Sequence, residues 1–566
     1  MFGKGYNQWV SVGKQLKVIV ALAICATIIV LLAPKLELAK AETITVPDDF
    51  ATIQAAMDAA NPGDTVFVKA GWYNETITVN RTIALVGENR ESVIVDGNGA
   101  RTVLCVTASG VSICNLTVTG GSPSVLDACG IRVNSSDGIL LGNAICGNNW
   151  GICFESAHCT AVSSNLLFNN SYGLYSTLSN NLRIERNEIS NCSTGVYLSG
   201  ANYGNVELNT ITDCAGSAVL CRDGYECTFT SNILQNDGFG FWLDPTSYSL
   251  VANNSILSCR SVGIRMHGYS VSDVFVNNTL VGNGEGFFFH DTARSVISRN
   301  MLCENDRAFA LYGGSSIGDM RLEFSYNDVV NNTMGVWLTK LQDSSRFSRN
   351  NFINNSIHVT SEDPPLVPSI IRWNDTYPNC GNYWSNYSGT DQLGGMAQNE
   401  TGSDGIGDAP HAVNGKNIDH YPLMAPIKAF DAGTWNNVPY AVEIVSNSTI
   451  SDFHFDPEEG ASFRYSATGE GDTAGFCRVA VPKDLLWTDD GWKIRVDTQS
   501  VADFRLYEDA NRTYLHFTYT HSSVTVQIEG TYVIPEFSLP ALLTALMGPL
   551  LLASLARRKA RGKESR

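Results

Sequence analysis

Basic residues are scarce in this chain. Its 566 residues carry 38 Lys and Arg against 56 Asp and Glu, a formal net charge of −18. Nucleic-acid partners need a compensating positive field, so this balance argues against one. An acidic surface also repels anionic polymers unless a cation or local basic groups intervene. Zinc-ligand spacing is missing as well: no C-x-x-C occurs among the 15 cysteines. Cysteine and methionine form no cluster of the kind Cu(I) prefers, and the full pattern of an EF-type calcium loop is absent.

What is present starts at the two ends. Lys4, Lys14 and Lys17 precede an apolar run from Val18 to Ala33, and Ala39 and Ala41 have A-x-A spacing. Residues 1–41 therefore read as a secretory signal peptide, since the run is shorter than the ~20 residues of a membrane span. Pro535-Glu536-Phe537 precede an apolar stretch from Leu539 to Ala556, then Arg557, Arg558 and Lys559. That stretch can span a bilayer, with the basic tail on the cytoplasmic side. The order of motif, span and basic tail over 534–566 resembles the PEF-type C-terminal sorting signals (PEF-CTERM) of archaeal surface proteins. The resemblance implies archaeosortase processing and membrane attachment at the cell surface; a permanent tail anchor is the alternative. Sequons at Asn74, Asn80, Asn115, Asn191 and Asn386 fit an exported glycoprotein.

Internal periodicity governs the middle of the chain. An Asn followed two residues later by Ile, Leu or Val recurs at Asn143, Asn165, Asn187, Asn209, Asn232, Asn254, Asn278, Asn300, Asn327 and Asn351. The spacings are 22, 22, 22, 23, 22, 24, 22, 27 and 24. Eight or nine residues after most of these Asn comes a small residue, usually Gly, and then an alternating run such as "GFWL" or "GVWL". A period near 22 suits one coil of short strands and turns stacked on the next. The expected fold is all-β: a single-stranded right-handed parallel β-helix of roughly fourteen coils, about 65 Å long at ~4.8 Å per coil. Asn suits the turns through its tolerance of left-handed angles and can bond from coil to coil. Cys192, Cys214 and Cys259 each follow a repeat Asn by five residues, which suggests stacked buried thiols, with a few disulfides besides.

Upstream, "ATIQAAMDAANPGD" reads as a helix starting near Asp48 and Asp49 and stopped by Asn61-Pro62-Gly63. It would cover the open end of the stack. This opening resembles that of the pectin-lyase-like right-handed β-helix superfamily. Further on, "GNYWSNYSG", "DGIGDAPH" and "NIDHYPLM" resemble the closing segment of NosD-like proteins. The name comes from a copper-processing accessory protein, and the fold is also described as a carbohydrate-binding and sugar-hydrolase domain. The expected organisation is signal peptide 1–41, parallel β-helix 42–374, closing segment 375–428, small β-sandwich-like domain 429–533, and sorting segment 534–566. The sandwich resembles modules placed before the anchor in archaeal surface proteins, which implies a spacer.

Alternation assigns faces. In "GFFFHD" (286–291), Phe287 and Phe289 point inward, and Phe288 and His290 outward. The same rule turns out Cys153 and Glu155, Tyr175 and Thr177, Tyr197 and Ser199, Val219 and Cys221, Trp242 and Asp244, Arg265 and His267, Ala310 and Tyr312, and Trp337 and Thr339. One exterior column is aromatic, with Tyr175, Tyr197, Trp242, Phe288 and Trp337 as candidate sugar-stacking residues. The next gathers Asp244, His267 and His290, with Asp291 beside them and Arg265 nearby. These are candidate catalytic groups: a His abstracting a proton α to a uronate carboxylate, Arg265 neutralising that carboxylate, Asp244 orienting the ring. Asp244 and Asp291 could instead be the acid pair of a glycosidase. The aspartate triplets of polygalacturonases are not evident. The two His and two Asp could also hold copper or zinc. Asp391, Asp404, Asp408 and Asp419 are candidate ligands for calcium, with loop-closing roles as the alternative. The expected function is interaction with a polysaccharide or surface glycan, or an envelope scaffold. A polysaccharide lyase, epimerase or hydrolase is the alternative, and NosD-like copper handling a second.

Overall fold

The computed structural model describes residues 41–312, 321–339, 345–361, 371–415, 417–435, 437–457 and 461–533. The expected sorting segment and all but the last residue of the expected signal peptide lie outside these residues.

Three short strands per coil build three long parallel sheets of 14, 13 and 14 strands. Together they make a right-handed β-solenoid of about 14 turns at about 22 residues per coil. Each strand keeps the alternation of its sequence. In Glu285–His290 the inward Phe287 and Phe289 are 0% and 2% exposed. They stack on each other, and Phe287 stacks on Phe309 of the next coil. Among the described residues the one α-helix is Ile53–Ala59. It starts later than Asp48 and Asp49 suggest, because Thr52 is the cap, accepting from Ala55 N at 3.2 Å. Glu75 of the next coil accepts from Ile53 N and Gln54 N. Asp48 instead pairs with Lys69, and Asp49 accepts from Thr45 N.

The repeat Asn form an internal ladder. Asn165 Oδ1 accepts from both the backbone N and Nδ2 of Asn143, and the same pair of bonds repeats from Asn to Asn up the stack. Two expectations change here. The ladder runs through Asn350, not Asn351: Asn350 receives Asn327, whereas Asn351 turns out to bond the backbone of Ile427. The left-handed residue is the one before each ladder Asn (Ser164, Arg186, Leu208, Ser231). The Asn is kept for its amide, which satisfies a buried turn with two donors and two acceptors.

Beyond the solenoid, two five-stranded antiparallel sheets span Ile427 to Val501 and beyond to Glu529. They enclose a second core around Phe463, Val479, Leu515 and Val526. This unit is docked, not merely spaced. Arg478, 3% exposed, donates to the carbonyls of Pro378 and Asp404, and Tyr514 OH donates to Asn379.

Candidate functional site

The strands Phe239–Leu243, Val262–Met266, Glu285–His290 and Arg307–Tyr312 lie side by side in register. Trp242 faces Arg265, Arg265 faces Phe288, and Phe288 faces Ala310. Pairing continues one residue past the strands, with His267 N donating to Leu243 O and Asp244 N to Cys221 O. Asp244, His267 and His290 are therefore vertical neighbours on the outer wall. Their side chains are 25%, 42% and 34% exposed.

The two imidazoles stack with centroids 5.0 Å apart and planes 18° from parallel. His267 Nδ1 sits 3.2 Å from Asp244 Oδ1 in a hydrogen bond. His290 Nδ1 lies 3.1 Å from Asp291 Oδ2, outside hydrogen-bond geometry. Gly268, at φ +75°, leaves room for the Asp244 carboxylate: a Cβ there would stand 3.1 Å from Oδ1.

One coil departs from the sequence reading. Val219 and Cys221 point inward and are fully buried, because Leu220 registers with Tyr197 and Trp242. The Asn209–Asn232 spacing of 23 carries an extra residue, which places Ala218 rather than Ser217 opposite the repeat glycine Gly195. Arg222 thereby enters the polar column beside Ser199.

The aromatic column is exterior, yet its ring faces are taken. Trp150, Tyr175 and Tyr197 stack at 4.0 and 4.8 Å. Arg265 lies over Trp242 at 4.5 Å and Phe288 at 5.1 Å, and Arg307 over Trp337 at 4.1 Å. Each of these rings thus has at least one face covered. Free faces occur elsewhere, at four tyrosines that the alternation rule passed over. Tyr203, Tyr225, Tyr248 and Tyr269 are 51%, 40%, 56% and 60% exposed. They follow the polar column within a few residues along the chain. Tyr203–Tyr225 and Tyr225–Tyr248 meet edge to face at 6.2 and 5.6 Å. Their spacings of 22, 23 and 21 were the signal that could have revealed them.

A groove of about 450 Å³ opens beside Phe288, lined by Arg260, Arg265, Glu285, Asp306 and Arg307 among others. Arg307 pairs with Glu285 at 2.8 Å, while burial pushes the Glu285 carboxyl up. Arg265 Nε and Trp242 Nε1 are buried without a hydrogen-bond partner among the described residues.

The four loop aspartates do not gather around a cation. Asp391 accepts from Asp404 N and Gly405 N, and Asp408 from Leu393 N and Thr390 Oγ1. Asp404 accepts from Ile406 N and Tyr377 OH. Asp419 ends the Asn ladder, accepting from Asn382 N at 2.7 Å and Trp384 Nε1 at 2.9 Å. Each carboxylate is already used to close a loop. Among the described residues no three His, Cys, Asp or Glu side chains are placed to share a metal ion.

Fold and site together define a parallel β-solenoid with a polar and aromatic lateral wall. The chain belongs to the NosD family. The family's model, described as periplasmic copper-binding protein (NosD), matches residues 57–237 and 217–389, together more than half of the chain. No curated protein matches it in sequence. Among solved structures, the catalytic domain of a GH87 α-1,3-glucanase in complex with nigerose is 13% identical, with TM-score 0.44, over 61% of this chain and 69% of that one. The Dettilon tailspike protein is 11% identical, with TM-score 0.39, over 86% and 93%. The Yersinia enterocolitica family 28 exopolygalacturonase is 11% identical, with TM-score 0.37, over 59% and 78%.

The family's description raises copper, which needs donor atoms converging on one point. His267 and His290 instead lie ring on ring, each Nδ1 turned toward its own carboxylate. The residues of this face do not fit a copper ion.

Proposed function

We propose that this chain is an exported, surface-anchored solenoid that binds an extended polysaccharide along its wall, between the Asp244–His267–His290 column and the tyrosine corner. The observation that carries this reading is the exposed run Tyr203, Tyr225, Tyr248 and Tyr269 on successive coils. Sugar rings pack their apolar faces on aromatic rings and need polar groups alongside for their hydroxyls. The corner supplies the first and the His and Asp column the second. Export and anchoring through the membrane rest on residues 1–41 and 534–566, with archaeosortase as the processing partner. The test is titration of the full chain against a panel of soluble polysaccharides. Binding that falls at least tenfold in Tyr225→Ala/Tyr248→Ala supports the reading. Failure of the native chain to bind any of the panel leaves an envelope scaffold and sinks it.

One geometric feature favours chemistry on the same face. Asp244 holds His267 by Nδ1, which leaves Nε2 as an oriented proton acceptor. In a lyase or epimerase, His267 would take the proton α to a uronate carboxylate, with Arg265 facing that carboxylate. Reducing-end or unsaturated products that disappear in His267→Gln would establish it. Retained binding without products leaves a binding protein.

A further inference from the structure

We propose that Cys221 and Cys227 are a redox pair that closes to a disulfide across the Arg222–Glu226 corner. Cys221 belongs to the strand Ser217–Arg222, and Cys227 follows six residues later, after the turn. Both are buried, at 0% and 1% exposure. Their sulfur atoms converge on Gly224: a Cβ there would stand 2.7 Å from Cys221 Sγ and 3.5 Å from Cys227 Sγ. Only a residue without a side chain leaves space for both.

Each thiol acts on the other. Cys227 raises Cys221, which burial raises further, and Cys221 lowers Cys227 against burial, while Cys227 Sγ donates to the carbonyls of Ala201 and Tyr225. Cys227 is taken as the attacking thiolate and Cys221 as the resolving one. The stacked thiols differ: burial pushes Cys192 up to about 11 and Cys259 up to about 12. These two sit on separate coils, each with one buried carboxylate, Asp237, acting on it. The outer wall already carries one closed bridge, Cys129–Cys153, between neighbouring coils.

The step needs an oxidant, taken to be a small-molecule disulfide such as oxidised glutathione. Cys227 thiolate attacks one of its sulfurs, forming a mixed disulfide and releasing one glutathione thiolate. Cys221 thiolate then attacks Cys227 Sγ and expels the second. The two thiol protons pass to solvent, and the two electrons leave on the reduced glutathione. Closure would fix the turn that carries Arg222 into the polar column and Tyr225 into the corner, whatever ligand that face takes.

The test uses the full chain, reduced and unfolded, then refolded across a series of glutathione redox buffers. Samples are acid-quenched, alkylated and mapped by mass spectrometry, with circular dichroism to confirm refolding. The expected result is loss of alkylation at Cys221 and Cys227 together, their peptides joined and two hydrogens lighter, while Cys192, Cys214 and Cys259 stay labelled. Cys221→Ser should leave Cys227 alkylated or held as its glutathione adduct. Full labelling of both cysteines in the refolded chain at the most oxidising buffer overturns the proposal, as does a bridge from either one to a different cysteine.

Discussion

The lateral face around His267 and the junction at the foot of the solenoid use the same residue types in opposite ways. At the junction Glu443 is 3% exposed, accepts from Tyr326 OH at 2.5 Å, lies 3.5 Å from Arg349 Nε and is paired with Arg512. On the lateral face Trp242 Nε1, Arg265 Nε, His290 Nδ1 and Asp291 Oδ1 are buried without hydrogen-bond partners among the described residues. A buried polar group costs stability unless it is bonded. Glu443 is thus satisfied within the chain, whereas the lateral face keeps four polar atoms without a hydrogen-bond partner; at the junction Arg349 Nε shares that state. The largest effect should fall on the junction. Glu443→Gln takes the charge partner from Arg512 and leaves Arg349 with Asp375 at 3.4 Å, and removing one partner of a buried pair costs about 3–5 kcal/mol. Denaturant unfolding should show that loss, while polysaccharide affinity stays as in the native chain. A Glu443→Gln protein as stable as the native one breaks the comparison.

The core holds a smaller version of the same contrast. Along a second internal ladder Asn283 Oδ1 accepts from Cys259 N, and its Nδ2 donates to Ile256 O. Asp237 takes the equivalent place two coils earlier: its Oδ1 accepts from Cys214 N at 2.7 Å, while Oδ2 is buried without a partner among the described residues. Burial pushes its carboxyl up to about 7, with Asp213 raising it further and Arg260 lowering it. The folded state thus holds the proton longer than the unfolded chain does. The stability this contributes is complete below about pH 4 and is lost as pH rises to about 7. Asp237→Asn supplies the missing donor permanently. Its melting temperature should match the native one near pH 4 and exceed it increasingly up to pH 8, by up to a few kcal/mol in stability. His358 and His516, held down to about 4 by burial, tilt the native curve the other way. The difference between variant and native chain is therefore the quantity to follow. An equal offset at every pH would show that Asp237 stays ionised inside.

Periodicity made the solenoid legible because each coil repeats one strand pattern. It also put Asp244, His267 and His290 in one column, since a parallel register carries a sequence position straight up the wall. It erred where the count changed by one. The extra residue before Ala218 inverted Val219 and Cys221, and the doubled Asn350-Asn351 hid which amide belonged to the ladder. Face availability was beyond it. Alternation says that Tyr175 and Trp242 point outward, but not that Tyr197 and Arg265 cover them. The tyrosine corner escaped because turn residues obey no alternation. The loop aspartates read as cation ligands because backbone N–H donors, which satisfy them here, leave no mark in a sequence.

The finest test separates the two kinds of outward-facing tyrosine. Tyr197 stacks on Tyr175 at 4.8 Å and 10°, so its ring serves the wall. Tyr197→Ala should cost about 1 kcal/mol of stability from lost stacking and leave polysaccharide affinity unchanged. Tyr248 is 56% exposed and touches Tyr225 edge-on, so its face is open to solvent and is the one the proposal assigns to a ligand. Tyr248→Ala should leave unfolding unchanged and weaken binding roughly tenfold, about 1.4 kcal/mol. Denaturant midpoints and titration on the same two proteins give the crossed result. If Tyr197→Ala weakens binding as much as Tyr248→Ala, the stacked column is itself a sugar platform and the tyrosine corner loses its special claim.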